Sequence, residues 1–198
     1  MIEQTGDTRQ LKEEIMDIYF QLGMEHGFSK VLLDQVASEL SISKKTIYKT
    51  FTSKEDIISQ CIDLVFEKID REVLPIMTNP SIGIIDKIML LPEIVANQLD
   101  FFTRHQVVEI QRSFPNLWTK VLEQRKIRIE RYEGLFHAAK NQGYINDIDS
   151  KMIVQFFLVA IEAFTKESFM TEHNVSYSQS LEIVTKILLE GILNKTSE

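Results

Sequence analysis

The sequence predicts an all-α protein, with three short helices at its N-terminal end and six longer ones after them. Three observations carry this. Apolar residues recur at three- and four-residue intervals along nearly the whole chain, the spacing that lines one face of a helix. Seven glycines and four prolines among 198 residues leave few places where a helix must stop. No stretch alternates apolar and polar residues as a half-buried strand would, and no repeat or low-complexity tract competes. A hydrophobic fraction of 44% with a mean hydropathy of −0.08 describes a soluble chain with ample core, enough for one sizeable domain or for a small one and a medium one.

Leu11, Ile15, Ile18, Tyr19 and Leu22 carry the first helix, which Gly27 ends. Leu33, Val36, Ala37 and Leu40 form the second, and the third runs from Lys44 to Phe51. Ser53-Lys54-Glu55-Asp56 reads as a capping box for a fourth, through Ile57, Cys61, Leu64, Val65 and Ile69 toward Pro75. Thr78-Asn79-Pro80-Ser81 is the sharpest break. A fifth helix spans about Ile82 to Thr103 with a kink at Pro92, and a short sixth stops before Phe114-Pro115. The seventh runs from about Asn116 to Gln142 and is stopped by Gly143. Asp149 caps the eighth, which reaches about Met170, and the ninth covers about Ser178 to Asn194.

Residues 36–51 hold the most informative pattern, two short helices joined by a tight turn. On the second of them Lys44, Lys45, Tyr48 and Lys49 share one face at about 3.6 residues per turn, while Ile47 and Phe51 point toward a core. Ser43 is placed to cap that helix, whose positive dipole end then faces the same way as the lysines. A basic face beside an outward helix N-terminus suits a phosphate backbone and a major groove. That is a helix-turn-helix arrangement. The net charge of −7 argues against a polyanion partner for the chain as a whole. Yet residues 41–54 contain Lys44, Lys45, Lys49 and Lys54 and no acid, so the basic footprint is confined to the element expected to touch DNA.

The run from Gly27-Phe28 through Ser43-Lys44-Lys45-Thr46-Ile47-Tyr48-Lys49-Thr50-Phe51 to Ser53-Lys54-Glu55-Asp56-Ile57-Ile58 resembles the DNA-binding domain of TetR/AcrR-type transcriptional regulators. A Gly-aromatic pair, an Ile/Val-Ala step, a small turn, Ser-x-x-Thr-Leu/Ile-Tyr-x-x-Phe and a Lys-Glu pair all stand in order. Three positions depart from the pattern: Ser41 for a turn glycine, Leu32 for a helix-opening threonine, and Gly23 for a phenylalanine. The Leu32 departure puts one backbone phosphate contact in doubt, and Tyr19 or Phe20 is expected to fill the volume missing at Gly23. The resemblance implies a helix-turn-helix domain over residues 1–53 and a ligand-binding and dimerisation domain over 54–198, connected by a helix at 54–77. It implies a repressor that binds a palindromic operator as a homodimer and is released by an apolar or amphipathic small molecule. Lys44, Lys45 and Thr46 would reach base edges, Tyr48 and Lys49 the backbone or flanking bases, and Lys54 a phosphate.

The last two helices have apolar residues on two sides. Glu182, Lys186 and Glu190 form one narrow polar stripe on the ninth, and Phe156 to Ile161 is an unbroken apolar run on the eighth. A surface helix needs a single apolar face, so a second copy of the chain is expected against the other. Phe157, Ala160, Ile161, Phe164, Val184, Leu188 and Ile192 are the candidate interface residues. In TetR-like proteins the fifth to eighth helices surround the ligand cavity. This makes Met89, Phe101, Phe102, Phe114, Trp118, Phe136, Met152, Phe156 and Phe157 candidate lining residues, with His105, Glu109 and Glu162 as polar groups.

Catalysis finds no support in these residues. There is no HExxH, no CxxC and no Gly-rich phosphate loop, and Glu133 with His137 has no mirrored carboxylate–histidine partner. No cofactor and no metal is expected. Cys61, the single cysteine, reads as a small buried hydrophobe in a reducing compartment. The N-terminus opens with Glu3 and Asp7 rather than a basic secretory segment, and the longest apolar run, Met152 to Phe164, is interrupted by Gln155 and Glu162. A cytoplasmic protein is expected. The alternative to an effector-released repressor is a dimer that binds DNA constitutively.

Overall fold

A computed structural model of the chain describes residues 3–99, 102 and 104–193. Among them it contains eleven helices: α1 (Glu3–His26), α2 (Leu33–Glu39), α3 (Lys44–Thr50), α4 (Lys54–Thr78), α5 (Ile84–Leu99), α6 (Arg104–Ser113), α7 (Pro115–Arg131), α8 (Glu133–Asn141), α9 (Ser150–Phe164), α10 (Glu167–Glu172) and α11 (Tyr177–Ile192). The extended pairing among the described residues is one isolated bridge, Ile145 with Leu193. The all-α class is as the periodicity predicts. Thr103 and Asn194, expected at the ends of the fifth and ninth helices, lie outside the described residues.

Local chemistry sets the boundaries. Gly27 ends α1 at φ +97°, the left-handed conformation that closes a helix. The Ser43 hydroxyl accepts from the Thr46 N–H and caps α3. The Ser53 hydroxyl accepts from the Asp56 N–H, but Asp56 reaches past Ser53 and accepts from the N–H and hydroxyl of Thr52, so the expected capping box closes one residue earlier. Leu32 has no oxygen to cap α2; the Gln35 side chain instead accepts the Leu32 N–H. Pro115 opens α7, where its missing N–H is no loss. Asp149 caps α9 through the Lys151 N–H.

Two expected helices are each two helices. The expected stretch 116–142 breaks at Tyr132, whose N–H bonds Ile129 three residues back instead of four. Gly134, a poor helix former, follows two residues later. The expected stretch 149–170 breaks at Thr165, whose hydroxyl donates to the Ile161 carbonyl beside its own N–H. That local bond competes with continuation of the helix.

The chain forms two compact units. The first comprises residues 1–65 and 105–121, the second 66–104 and 122–198. This partition differs from the expected sequential division at residue 53, since α4 contributes to both units. The first unit is built around Ile15, Tyr19, Phe28, Val36, Ile47, Phe51, Ile57 and Ile58, all fully buried or nearly so. The volume at Gly23 is filled by Phe28 rather than by Tyr19 or Phe20: a Cβ on Gly23 would lie 2.2 Å from the Phe28 ring. The Tyr19 hydroxyl donates to the Phe28 carbonyl at 2.8 Å. Cys61 is buried, and desolvation pushes its thiol up to about 12, so it packs and does not react. In the second unit α5, α8, α9 and α11 pack so that each touches two of the others. Among the described residues no helix is long and apolar enough to cross a membrane.

Ser41 sits in the turn between α2 and α3 at φ +53°. A left-handed non-glycine residue costs about 1–2 kcal/mol, partly offset against glycine's larger entropy loss on folding. Ser41→Gly is therefore expected to stabilise the first unit by about 0.5–1 kcal/mol, read as a rise in the urea midpoint of unfolding.

Candidate nucleic-acid interface and effector site

On α3 the apolar and basic rows separate as the sequence predicts. Ile47 and Phe51 are buried completely, while Lys44, Lys45, Tyr48 and Lys49 are exposed and Thr46 is half-buried. Lys12 lies 5.8 Å from the centre of the Phe51 ring, on the inner side. Two of the expected DNA contacts have partners within the protein. Lys44 pairs with Asp34 of α2 at 3.0 Å, which raises its pKa through that hydrogen bond. Lys54 donates to the Ser29 carbonyl at 2.5 Å, and burial draws its pKa below the ordinary value. Lys45, Tyr48 and Lys49 form the outward row on the helix itself.

The loop after α1 is held from α6, about 80 residues away in sequence. Glu109 accepts hydrogen bonds from the Phe28 N–H at 2.9 Å and from the N–H and hydroxyl of Ser29 at 2.8 and 2.5 Å. Beside it, the buried Gln106 donates to the Met24 carbonyl at 2.7 Å. The two side chains thus satisfy a carbonyl at the end of α1 and the N–H groups of the loop, which a helix end leaves orphaned. Burial alone would raise the Glu109 carboxyl. The hydrogen bonds from Ser29 and Phe28, with His105 nearby, outweigh it and hold the pKa below the usual range. Glu109, expected as a pocket residue, is therefore a capping residue for the loop that leads into α2.

The second unit contains a cavity of about 20 Å³ lined by Ile88, Leu91, Pro92, Tyr132, Leu135, Phe136, Phe157, Thr185, Leu188 and Leu189. Of the expected lining residues, Phe136 and Phe157 face it. Met89 and Phe156 are about half exposed, Glu162 is exposed and Phe102 is half-buried. His105, Phe114 and Trp118 belong to the first unit, where Phe114 is buried, Trp118 half-buried and His105 exposed. Phe101 lies outside the described residues. Among those residues no group of three or more His, Cys, Asp or Glu side chains could hold a metal ion.

Residues 20–61 match the family of bacterial regulatory proteins, tetR family. The chain is 19% identical over 182 residues to the HTH-type transcriptional regulator YvaF of Bacillus subtilis, covering 92% of this chain and 95% of the relative. Residues 20–61 thus resemble the DNA-binding region of tetR-family regulatory proteins. The same fold is found in a TetR/AcrR-family regulator from Thermobifida fusca (TM-score 0.70, 18% identity, 96% of this chain and 100% of that one). It is found again in the fatty acid degradation regulator FadR from Bacillus halodurans (TM-score 0.64, 23% identity, 91% and 95%).

The expected interface residues are turned largely inward. Phe157, Ile161, Val184, Leu188 and Ile192 are buried within the protomer, and Ala160 and Phe164 are half-buried. The reason is geometric: with apolar residues on two sides of each helix, sequence periodicity does not say which side meets the bundle. The side left outward carries Met152, Phe156 and Val159 on α9, 53–64% exposed, and Ile183 and Ile187 on α11. The spacing 152, 156, 159 is that of one helix face. The Glu109 cap has no sequence signal, because its partners are distant backbone groups.

Glu109 also carries a pH prediction. Its folded pKa lies below that of an exposed glutamate, about 4.3. Its stabilisation is therefore full above that pH and is lost as pH falls through the lower folded value. Glu109→Gln is expected to lower stability near neutrality by about 1–2 kcal/mol, leaving loop N–H groups poorly paired. It should also flatten the acid limb of the stability profile below about pH 4. Chemical denaturation across pH checks both.

Proposed function

We propose that the chain is a TetR-type repressor that binds a palindromic operator as a homodimer and is released by an apolar or amphipathic small molecule. The observation that carries the DNA-binding part is the outward basic row of α3 above the fully buried Ile47 and Phe51. Lys45 and Thr46 read base edges, with Lys44 joining them when it leaves Asp34. Tyr48 and Lys49 meet the backbone, and Lys54 acts near a phosphate from a position fixed by the Ser29 carbonyl. The outward apolar rows of α9 and α11 support the homodimer, since exposed contiguous apolar patches mark association sites. Two copies related by a two-fold axis present two recognition helices, so half-sites should lie one turn, ~34–36 Å, or a multiple apart. The protein acts in the cytoplasm on DNA, with no cofactor and no catalysis.

The cavity in the second unit supports an effector that selects a different arrangement of the bundle. At about 20 Å³ it has room for little more than one water. An effector entering between Phe136, Phe157 and Leu188 must therefore move side chains, which gives it unequal affinity for two states, as a switch requires. FadR of Bacillus halodurans is by name a regulator of fatty acid degradation, in keeping with an apolar effector here.

Lys45→Ala and Tyr48→Ala are expected to lose specific binding with the fold intact. Each phosphate-contacting lysine removed should lower the salt slope of binding by about one unit. Tight operator binding by a Lys44/Lys45/Lys49 triple alanine variant in a gel shift would contradict the assignment. Operator affinity unchanged across a broad apolar effector panel would leave a constitutive DNA binder.

Ile187→Glu is expected to yield a folded monomer by sedimentation. Leu188→Glu, one residue on, buries a charge in the protomer core and should prevent folding.

A further inference from the structure

Arg125, on α7, is a cation that has no counter-ion among the described residues. Its Nε is shielded from solvent and meets no acceptor. Its Nη1 donates only to the hydroxyls of Thr165 and Tyr177, each at 3.3 Å. Among the described residues no carboxylate pairs with it, although the chain has 29 acids. One turn further along α7, Arg128 meets both oxygens of Asp70 at 2.6 and 3.1 Å and stacks on the Phe66 ring. The chain thus pairs a structural guanidinium fully and leaves Arg125 unpaired. Thr165 and Tyr177 are themselves buried, and the Thr165 hydroxyl donates to the Ile161 carbonyl, so toward Arg125 it accepts. The Arg125 residue as a whole is half-buried, but a shielded polar atom without a partner calls for an acceptor from elsewhere.

The position of the group is specific. Tyr132, Phe157 and Thr185 line the apolar cavity. Arg125 stands seven residues before Tyr132, Thr165 eight after Phe157, and Tyr177 eight before Thr185. At 1.5 Å per helical residue, each of the three stands about 10–12 Å in rise along the chain from a residue that lines the cavity. We propose that Arg125, Thr165 and Tyr177 bind the carboxylate of an apolar organic acid whose hydrocarbon part lies toward the Phe136–Phe157 cavity. This inference rests on the effector-released reading above and names the chemical class of the effector. A single guanidinium balances a monoanion, and its planar fork matches two carboxylate oxygens. One of them supplies the acceptor that Nε lacks.

The test uses the full chain with butyrate, octanoate and laurate, each beside its alcohol, followed by calorimetry, thermal midpoint and operator release. At least one acid should bind, raise the midpoint and weaken operator binding about tenfold or more, while the alcohol of the same length does not. Arg125→Met should weaken binding of that acid by at least about tenfold, the usual minimum for truncating one partner of a buried charge pair. Because it removes an unpaired charge, it should leave the ligand-free midpoint unchanged or higher. Tyr177→Phe, a smaller change, should weaken acid binding in the same direction. Alcohols that release the operator as well as the acids do would overturn the carboxylate and leave the effector reading intact. So would a Met variant that binds the acid as the wild type does. A marked drop in the ligand-free midpoint of the Met variant would make Arg125 structural and also overturn the proposal. Acids and alcohols that neither bind nor release the operator overturn it too, and the effector reading then passes to other chemistries.

Discussion

A helix of seven residues does not hold its shape in water by itself, so the recognition helix depends on the burial of Ile47 and Phe51 beneath it. That burial fixes which way Lys45, Tyr48 and Lys49 point, because a helix with one side locked has the other side determined. The packing partners of α3 are α1 and α2. Their positions depend in turn on Phe28, which occupies the space over Gly23 and gives its carbonyl to Tyr19. Glu109 and Gln106 add the polar half of the same constraint. Apolar burial holds the inner surface of the first unit, and α6 holds the backbone of the loop that the apolar residues cannot satisfy. Shape and hydrogen bonding act on the same few residues, 24 to 29.

Features that depend on neighbours in sequence were legible in advance. The Ser43 cap, the glycine stop at 27, the opening of α7 at Pro115 and the separation of the α3 faces each rest on residues a few positions apart. Features that depend on distant partners were not. Nothing near Glu109 in sequence announces that it caps a loop 80 residues earlier, and its acidity suggested a pocket instead. The breaks at Tyr132 and Thr165 are intermediate cases. Each is a one-step slip of the backbone ladder inside a strongly periodic stretch, and periodicity of side chains is insensitive to a slip of that size. Several expected pocket residues belong to different compact units, a grouping set by packing that the order of elements along the chain does not reveal.

The electrostatics of the head show how an acidic chain can meet DNA. With a net charge of −7 the long-range field repels a polyanion, and the attraction must come from groups within about a Debye length, near 8 Å at physiological ionic strength. The lysines of α3 satisfy that, but Asp34 takes part of the charge of Lys44. A surface pair of this kind contributes little to stability. In the proposed complex its effect would be on binding, trimming nonspecific phosphate attraction at the contact surface while the proposed base-edge contacts by Lys45 and Thr46 are untouched. Weak background attraction and a small basic footprint together favour sequence reading over general adhesion to DNA.

The same economy of faces operates at the other end of the chain. On α9 and α11 the inward rows close the bundle around the cavity, and the outward rows, with Phe156 and Ile187 at their centres, remain for another surface. Each helix therefore serves two surfaces with side chains only one residue apart, Phe156 beside Phe157 and Ile187 beside Leu188. A change at Phe157 or Leu188 reaches the cavity lining directly, whereas a change at Phe156 or Ile187 leaves the core packing as it is. A two-fold axis through the outward rows would place two cavities back to back across one pair of helices. Any ligand that shifted Phe157 or Leu188 would then also shift the backbone carrying the interface. In close-packed interiors such displacements are transmitted rather than absorbed, so in the proposed dimer assembly and ligand occupancy would share a single structural element.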